Sequence, residues 1–248
     1  MLTALITDIH ANREAFEACL AHADRHGAQR YLFLGDFVGY GADPGWVVDK
    51  VMSLVGQGVA VALMGNHDSA AAVAPRDQLN QDARQVIDWT RAHLNPAQLD
   101  FLAHLPLEHE DGPCLYVHAN AYAPAEFEYI TGAFEAGRSM RSTRSRITFC
   151  GHVHEPMLYH MGVNQRTEEF LPVPGSPIPL SASRRWLALP GSCGQPRDGN
   201  PAACYASFDE ITHMLTFWRV PYDHQEAARK VRVAGLPQRL ATRLEGGI

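Results

Sequence analysis

The sequence lacks any long uninterrupted apolar run. Its first segment, MLTALITDIHANREAF, carries no basic leader, and Asp8 and His10 break its apolar stretch. A helix that spans a membrane needs about 20 consecutive apolar residues, and no other segment supplies them. We therefore expect neither a signal peptide nor a membrane span, and no membrane partner.

Cysteine is also scarce, and its spacing fits neither a zinc ribbon nor a redox motif. The cysteines are Cys19, Cys114, Cys150, Cys193 and Cys204. Because their number is odd and none lie close together in sequence, we predict that they are reduced and mostly buried, in a cytoplasmic protein.

Positive charge is not in excess either. Lys and Arg number 21 against 27 Asp and Glu, which gives a formal net charge of −6. This acidic balance creates no overall electrostatic field that would attract nucleic acid, so we expect no stable nucleic-acid partner. A local basic pocket is compatible with the balance. The chain has 248 residues, of which 46% are hydrophobic and 19% charged. These values predict one globular domain over residues 1–248 and leave the oligomeric state open.

Strand-like and helix-like stretches alternate in the first part of the chain. They are Leu2–Thr7, Arg13–His26, Tyr31–Leu34, Trp46–Val55 and Val59–Met64. This βαβαβ order predicts a parallel sheet. Each apolar run ends in a polar cluster (TDIH, GDFVGYG and GNHD), and ligands bind beyond the carboxyl ends of parallel strands. The three clusters are therefore expected to meet at one edge.

The later segments are predicted in less detail. Residues Gln78–Ala103 have a helical pattern with a break at Asn95 and Pro96. The runs Cys114–Val117 and Ile147–Cys150 are strand-like; the first is followed by His118 and the second by the sequence GHVH. The irregular residues 119–146 suggest a cap or a surface excursion.

Strand-like runs after Met157 alternate with turns rich in Pro and Gly, which predicts a second sheet made largely of hairpins. His224–Ala234 is expected to form a closing helix. No internal repeat or clear linker divides the chain.

Asp8 and His10 form the first candidate metal-binding pair. Two residues separated by one position in an extended strand project to the same side, where they can hold one cation. The pair alone is equally compatible with a polar strand end.

Asp36 is the second candidate, because a carboxylate can bridge two metals through its two oxygens. Gly35, Gly39 and Gly41 around it allow the backbone to approach a ligand closely. A glycine turn with Asp36 as its cap is the alternative for this segment taken alone.

Asn66, His67 and Asp68 suit three separate tasks. Asn66 can ligate a metal through its carbonyl oxygen. His67 can give a proton to a leaving group, with Asp68 placed to orient the ring or raise its pKa. A solvated Asn-His turn is the alternative.

Three further imidazoles complete the set. His118 alone would be an ordinary core or edge histidine, but it follows a strand next to the other clusters, and His152 and His154 repeat the two-residue spacing. Mixed nitrogen and oxygen ligands suit Mn, Fe or Zn, as well as Co or Ni, better than Ca or Mg. Together the candidates can fill two neighbouring metal sites: Asp8, His10, Asp36, Asn66, His118, His152 and His154.

These motifs, in the order D-x-H, GD, GNH[DE], a lone H and GH-x-H, resemble those of the calcineurin-like metallophosphoesterase superfamily. The match spans most of the first two thirds of the chain. The resemblance implies an α/β fold, a four-layer α-β-β-α sandwich with two central mixed sheets and the metal site at the strand C-terminal edge. It assigns Asp8, His10, Asp36 and His154 to one metal, and Asp36, Asn66, His118 and His152 to the other.

One position departs from the pattern of the superfamily. Many members carry a second acidic residue three positions after the bridging aspartate, where this chain has Gly39. The segments GDFVGYG and PGSCGQPRDG resemble a bacterial subgroup of small, single-domain members whose natural substrates are mostly unassigned. The resemblance therefore implies a reaction more firmly than a substrate.

The expected mechanism uses two divalent or mixed-valence transition-metal ions about 3.5 to 4 Å apart, which lower the pKa of a shared water and polarise the phosphoryl oxygens. A metal-bound hydroxide would attack phosphorus, and His67, helped by Asp68, would protonate the leaving oxygen. Asn12 and Arg197 are candidates for a phosphate contact, and Tyr40 for stacking on an aromatic substrate group. Core or rim packing is the alternative for Tyr40.

The sequence thus predicts a hydrolase of phosphomonoesters or phosphodiesters that acts on a small phosphorylated substrate, with nucleotides among the candidates. The alternative is a catalytically weak metal-binding scaffold or a protein-interaction module of the same fold. A nuclease is disfavoured, because neither a partner domain nor a basic channel is visible. Ser192 and Cys193 in PGSCG lack the context of a nucleophile elbow and are expected in a loop that lines the site.

Overall fold

A computed structural model describes residues 1–73 and 81–248 of the chain. Its strands are β1 Leu2–Ile6, β2 Arg30–Phe33, β3 Ala60–Ala62, β4 Glu108–Asp111, β5 Cys114–Val117, β6 Ile147–Phe149, β7 Pro156–Met161, β8 Thr167–Phe170, β9 Pro177–Pro179, β10 Arg185–Pro190, β11 Ala203–Asp209 and β12 Met214–Val220. Its α-helices are α1 Arg13–Arg25, α2 Pro44–Gly56, α3 Asn66–Ala72, α4 Gln81–Ala92, α5 Pro96–Ala103, α6 Ala133–Ser142, α7 His224–Val233 and α8 Gln238–Gly246.

The first sheet has the strand order β3-β2-β1-β11-β12-β9. Strands β1, β2 and β3 run parallel, as the βαβαβ pattern predicts, with Ala4 opposite Tyr31 and Tyr31 opposite Ala60. Strand β11 lies antiparallel to β1 and continues into the hairpin with β12. The sheet is therefore mixed.

The second sheet has the order β4-β5-β6-β10-β7-β8. Strands β5, β6 and β10 are parallel, and β7 pairs antiparallel with β10 and β8. The prediction that the strand-like runs after Met157 build a second sheet made largely of hairpins is wrong in part, because β9, β11 and β12 join the first sheet. Nearly all of β11 is buried, as expected of a strand covered on both faces.

Three apolar clusters separate four layers. Leu5 and Phe149 belong to the cluster between the two sheets. Phe16 and Val47 pack α1 and α2 on the outer face of the first sheet. Met140 packs α6 on the outer face of the second. The α-β-β-α sandwich with two mixed sheets is confirmed.

Two helix boundaries follow the predicted signals. Helix α4 ends at Ala92 and α5 begins at Pro96, with Asn95 as a capping residue whose side chain accepts a hydrogen bond from the Gln98 backbone N–H at 2.9 Å. The first residues of the predicted helical stretch, 78–80, lie outside the described residues.

The C-terminal segment forms a helical pair. Helix α7 agrees with the predicted closing helix, and α8 was not anticipated. Ala228 and Leu240 pack in a small cluster of their own between these helices. Lys230 on α7 pairs with Glu14 at 2.5 Å and with Asp43 at 2.9 Å, so the pair is tied to α1 and to the loop before α2.

The irregular residues 119–146 contain a short 3-10 turn at Pro124–Glu126 and helix α6. The helix supplies the outer layer over the second sheet, while the residues before it run beside the strand ends. No helix in the described part of the chain is both long and apolar enough to cross a membrane. All five cysteines are buried and free.

Candidate metal centre

The predicted ligands follow the carboxyl ends of parallel strands from both sheets. Strands β1, β2 and β3 lead into the first four, and β5 and β6 lead into the last three. The two sheets stack with these ends together, so the side chains converge although they come from five chain segments. They are Asp8, His10, Asp36, Asn66, His118, His152 and His154.

The backbone brings the paired ligands together by left-handed turns. In the described chain, the ligands with positive φ are Asp8 at 53°, His10 at 50°, Asp36 at 56°, His152 at 69° and His154 at 69°. The predicted reason for their convergence, extended geometry, is therefore wrong. Non-glycine residues in this conformation cost free energy, and their concentration at one place is typical of functional sites.

Asp8, His10 and His154 form one potential metal site. Nε2 of His154 lies 3.4 Å from Oδ1 of Asp8. The Nε2 atoms of His10 and His154 are 3.0 Å apart. All three side chains are buried.

Asp36, His118 and His152 form the second site. Nε2 of His118 lies 3.1 Å from Nδ1 of His152 and 3.2 Å from Oδ1 of Asn66, which places the predicted amide ligand beside this group. Oδ2 of Asp36 is 3.5 Å from Nε2 of His118 and 3.7 Å from Nε2 of His10. Asp36 therefore stands between the two sites, as a bridging carboxylate requires.

Hydrogen bonds to backbone carbonyls orient three of the rings. Nδ1 of His10 donates to Val38 O at 3.2 Å, Nδ1 of His118 to Leu34 O at 2.7 Å and Nδ1 of His154 to Gln195 O at 2.6 Å. Because a carbonyl only accepts, each Nδ1 carries the proton, and each neutral ring directs the lone pair of Nε2 into the site. Two such lone pairs face each other between His10 and His154, an arrangement that a bound cation stabilises. The residues fit a pair of transition-metal ions.

Burial shifts the pKa values of the ligands toward their neutral forms. It raises the pKa of Asp8, and for Asp36 burial and the neighbouring Asp8 charge raise the pKa well above its usual range. Burial lowers the pKa of His118 and lowers that of His152 to about 2. The imidazoles are thus uncharged at neutral pH, each with one ring nitrogen unprotonated, and a bound cation would favour the ionised carboxylates.

His67 lies at the centre, but its partner differs from the predicted one. Its Nε2 is 3.0 Å from the Tyr40 hydroxyl. Burial, followed by the charges of His118 and Arg197, lowers the pKa of His67 to about 3. Within the described residues, Asp68 makes no hydrogen bond to the ring. Its carboxylate accepts hydrogen bonds from the backbone N–H groups of Asp36, Phe37, Val38 and Gly65.

The predicted help of Asp68 to His67 is therefore corrected. Asp68 is fully buried and fastens the turn that carries Asp36 to the start of α3. Gly65 has no room for a side chain there, because a Cβ would collide with the Asp36 carboxylate. The GNHD motif thus holds Asp36, the candidate bridging residue, in place.

Asn12 also has a structural role in place of the predicted phosphate contact. Its Oδ1 caps α1 by accepting from Ala15 N at 3.1 Å, and its Nδ2 donates to Gly194 O at 2.7 Å and to the Tyr222 hydroxyl at 3.1 Å. Both polar atoms of this buried side chain are in use.

The PGSCG loop supports the first metal site from behind. Ser192 Oγ donates to Asp8 O at 2.8 Å, Cys193 N to Thr7 O at 2.9 Å and Gly194 N to Asp8 O at 2.9 Å. A Cβ at Gly194 would collide with Ile9 O. Ser192 and Cys193 are thus parts of a lining loop, as expected.

Arg197, at the end of this loop, brings positive charge to the site. Its charge lowers the pKa of Asp8 and Asp36, although burial outweighs it at both. The guanidinium lies 5.8 Å from the centroid of the Tyr40 ring and donates to Gln195 Oε1 at 3.1 Å. Its buried Nε has no hydrogen-bond partner in the described residues.

Sequence reasoning missed two aromatic residues from the irregular segment. The half-exposed Tyr129 stacks on the His152 ring with centroids 3.8 Å apart, and Phe127 meets the His118 ring edge-on at 5.8 Å. Neither residue belongs to a motif or a periodic stretch, so nothing in their spacing could have identified them.

Comparison with known proteins agrees with this geometry. A family model described as the calcineurin-like phosphoesterase superfamily domain matches residues 1–212. The chain belongs to this superfamily. An uncharacterised protein of Methanocaldococcus jannaschii is 33% identical over an alignment of 253 residue positions, which covers 98% of this chain and 97% of that protein.

Two solved structures share the whole fold. A metallophosphoesterase from Sphaerobacter thermophilus is 34% identical, with a TM-score of 0.87 over 100% of this chain and 99% of that one. A hypothetical protein from Pyrococcus horikoshii OT3 has a TM-score of 0.81 over 100% of this chain and 98% of its own, at 18% identity, and shows the shared fold alone. As a member of this superfamily, the chain has the architecture and the clustered His and Asp side chains of a phosphoric ester hydrolase.

Proposed function

We propose that this chain is a dinuclear-metal phosphoesterase that hydrolyses small phosphomonoesters or phosphodiesters. The observation that carries the proposal is the orientation of the ligands: buried imidazoles direct unprotonated Nε2 atoms at two carboxylates, with Asp36 between the two groups. A buried cluster of this kind is poorly stable without cations. Mn, Fe or Zn are the ions that such ligands favour.

Two bound cations would polarise the phosphoryl oxygens and increase the acidity of water. The chain itself supplies the remaining groups. Arg197 would pair its guanidinium with a phosphoryl oxygen, because it already places positive charge on the site. Beside the negative charge of a bound phosphate ester, His67 would take up a proton and then pass it to the leaving oxygen, which returns the ring to its neutral form.

The expected substrate is a small phosphorylated compound, with nucleotides among the candidates. The formal net charge of −6 gives no attraction for long polyanions. Tyr40 was expected to stack on an aromatic group of the substrate. Its ring instead packs on the rings of His10 and His67, with centroids 4.5 Å away in each case. All seven ligands and His67 are present, which argues against the scaffold alternative.

The test is hydrolysis of nitrophenyl phosphate monoesters and diesters by protein stripped of metal and then supplied with Mn, Fe, Zn or Mg. We expect turnover that returns with metal and is lost in Asp36→Asn. Asp100→Asn, which changes an exposed carboxylate at 75% exposure, is the matched control and should keep wild-type turnover. A folded, metal-loaded protein without turnover on either ester would contradict the proposal.

A further inference from the structure

The contact between His67 and Tyr40 gives a role to a residue outside the metal ligands. The Tyr40 hydroxyl is 3.0 Å from Nε2 of His67, and the rings meet edge to face with centroids 4.5 Å apart. The backbone N–H of His67 donates to Asp36 Oδ1 at 2.8 Å, and this bond does not restrain rotation of the ring. The hydroxyl is thus placed to fix the rotation of the ring.

The other ring nitrogen has no such support. Nδ1 of His67 is buried and has no hydrogen-bond partner in the described residues. It lies against Gly39, where an added Cβ would collide with Nδ1. A side chain at position 39 would therefore displace the ring. With glycine there, the hydrogen bond from Tyr40 can set the orientation of the His67 ring.

Tyr40 is itself held firmly. Its backbone is left-handed, with φ of 64°. The ring packs against His10 and against the cluster formed by the C-terminal helices. The same loop is tied down by Lys230 of α7, whose Nζ is 2.9 Å from Asp43. Helices α7 and α8 lie beyond residues 1–212, which match the family model.

We propose that Tyr40 is a positioning residue, which holds the His67 ring in the orientation needed at the leaving oxygen and is buttressed by the C-terminal helices. The role rests on the proposed function for its effect on turnover. The hydrogen bond itself does not depend on that function and can be measured separately.

The kinetic test compares Tyr40→Phe with Tyr205→Phe. The control removes the same hydroxyl from a fully buried tyrosine that also bonds a histidine, with 2.7 Å between the Tyr205 hydroxyl and Nδ1 of His22. We expect kcat to fall about tenfold in Tyr40→Phe with KM nearly unchanged, and to fall most for esters with poor leaving groups. Tyr205→Phe should leave both constants unchanged.

A double-variant cycle separates positioning from general damage. If Tyr40 acts through His67, adding Tyr40→Phe to His67→Gln causes no further loss of kcat. Independent losses in the two variants would overturn the proposal, as would a rise in KM alone, which would indicate direct substrate contact.

An NMR measurement tests the positioning without turnover. In protein with labelled histidine, the His67 ring signal is identified by its absence from His67→Gln. We expect this signal to shift in Tyr40→Phe and to stay in place in Tyr205→Phe. An unshifted signal would overturn the proposal. If the wild-type protein hydrolyses no ester, the proposed function fails, and this measurement still decides whether Tyr40 holds the ring.

Discussion

His10 and His154 place two ring nitrogens 3.0 Å apart in a buried site, and both of the other ring nitrogens donate to carbonyls. Neither ring can relieve the contact by changing its tautomer without losing its carbonyl bond. Two buried, unprotonated nitrogens that face each other without a donor between them lower the stability of the fold. A cation bound between them would remove this cost. Individual side chains thus point to metal binding more directly than the motif alone.

Arg197 should contribute to substrate binding and not to folding. In Arg197→Gln we expect kcat/KM to fall about tenfold to a hundredfold, because a charge-assisted hydrogen bond to the phosphate is lost. Steady-state kinetics on the preferred nitrophenyl ester measure this change. The control is Arg13→Gln, which removes an exposed arginine paired with Glu17. Equal kinetics for Arg197→Gln and wild type would refute the contact.

His67 predicts a pH dependence in protein kept free of metal by a chelator. Its pKa is lowered from 6.5 to about 3 in the fold, so between these values the unfolded chain binds more protons. The contribution of His67 to the free energy of unfolding is therefore fully present above the unfolded pKa, and it decreases as pH falls below that value. Urea unfolding between about pH 7 and about pH 5 should show a shallower loss in His67→Gln. A matched control is His104→Gln at an exposed site, and a slope equal to wild type in His67→Gln would disprove the assignment.

The clustering of the candidate ligands could be predicted because their types and order are typical of one kind of metal site. The roles of Asp68 and Asn12 could not, since each depends on backbone groups that are distant in sequence. The amides around Asp36 come to Asp68 only when β2 and α3 meet, and Gly194 reaches Asn12 only when the PGSCG loop folds back.

At the scale of elements, the strands end at the site, and the left-handed turns that follow them bring the candidate ligands together. Alternation and apolar runs identify strands such as β1 and β6, whereas they carry no information on the φ angles of the residues that follow. The hydrophobic pattern also could not predict that β11 pairs with β1, because a strand buried on both faces has no distinctive period.

The PGSCG loop gives a test at this scale. In Gly194→Ala the added Cβ meets Ile9 O, so the loop must move away from Asp8 and His10. We expect weaker metal binding and a free energy of unfolding lower by about 1–3 kcal/mol, as for other overpacked sites. Thermal unfolding with and without Mn measures both effects. Gly56→Ala is the control, because outside the adjoining backbone of α2 no atom lies within 4 Å of its Cβ position. Equal behaviour of the two variants would show that the loop tolerates the change.

For the whole molecule, both sheets contribute ligands to one centre. Asp36 comes from the first sheet and His118 from the second, with 3.5 Å between their ligand atoms. We therefore predict that residues 1–248 unfold as one cooperative unit and that added Mn shifts the single transition upward. Circular dichroism and tryptophan fluorescence should report the same midpoint. Separate midpoints, or a shift confined to one probe, would contradict a single domain.

The central claim is that two metal ions share Asp36, and a titration of metal-stripped protein with Mn, followed by calorimetry and metal analysis, tests it most directly. We expect two ions bound per wild-type chain and loss of at least one from Asp36→Asn, with Asp100→Asn unchanged. One ion or none in the wild-type chain, with the fold intact, would contradict it.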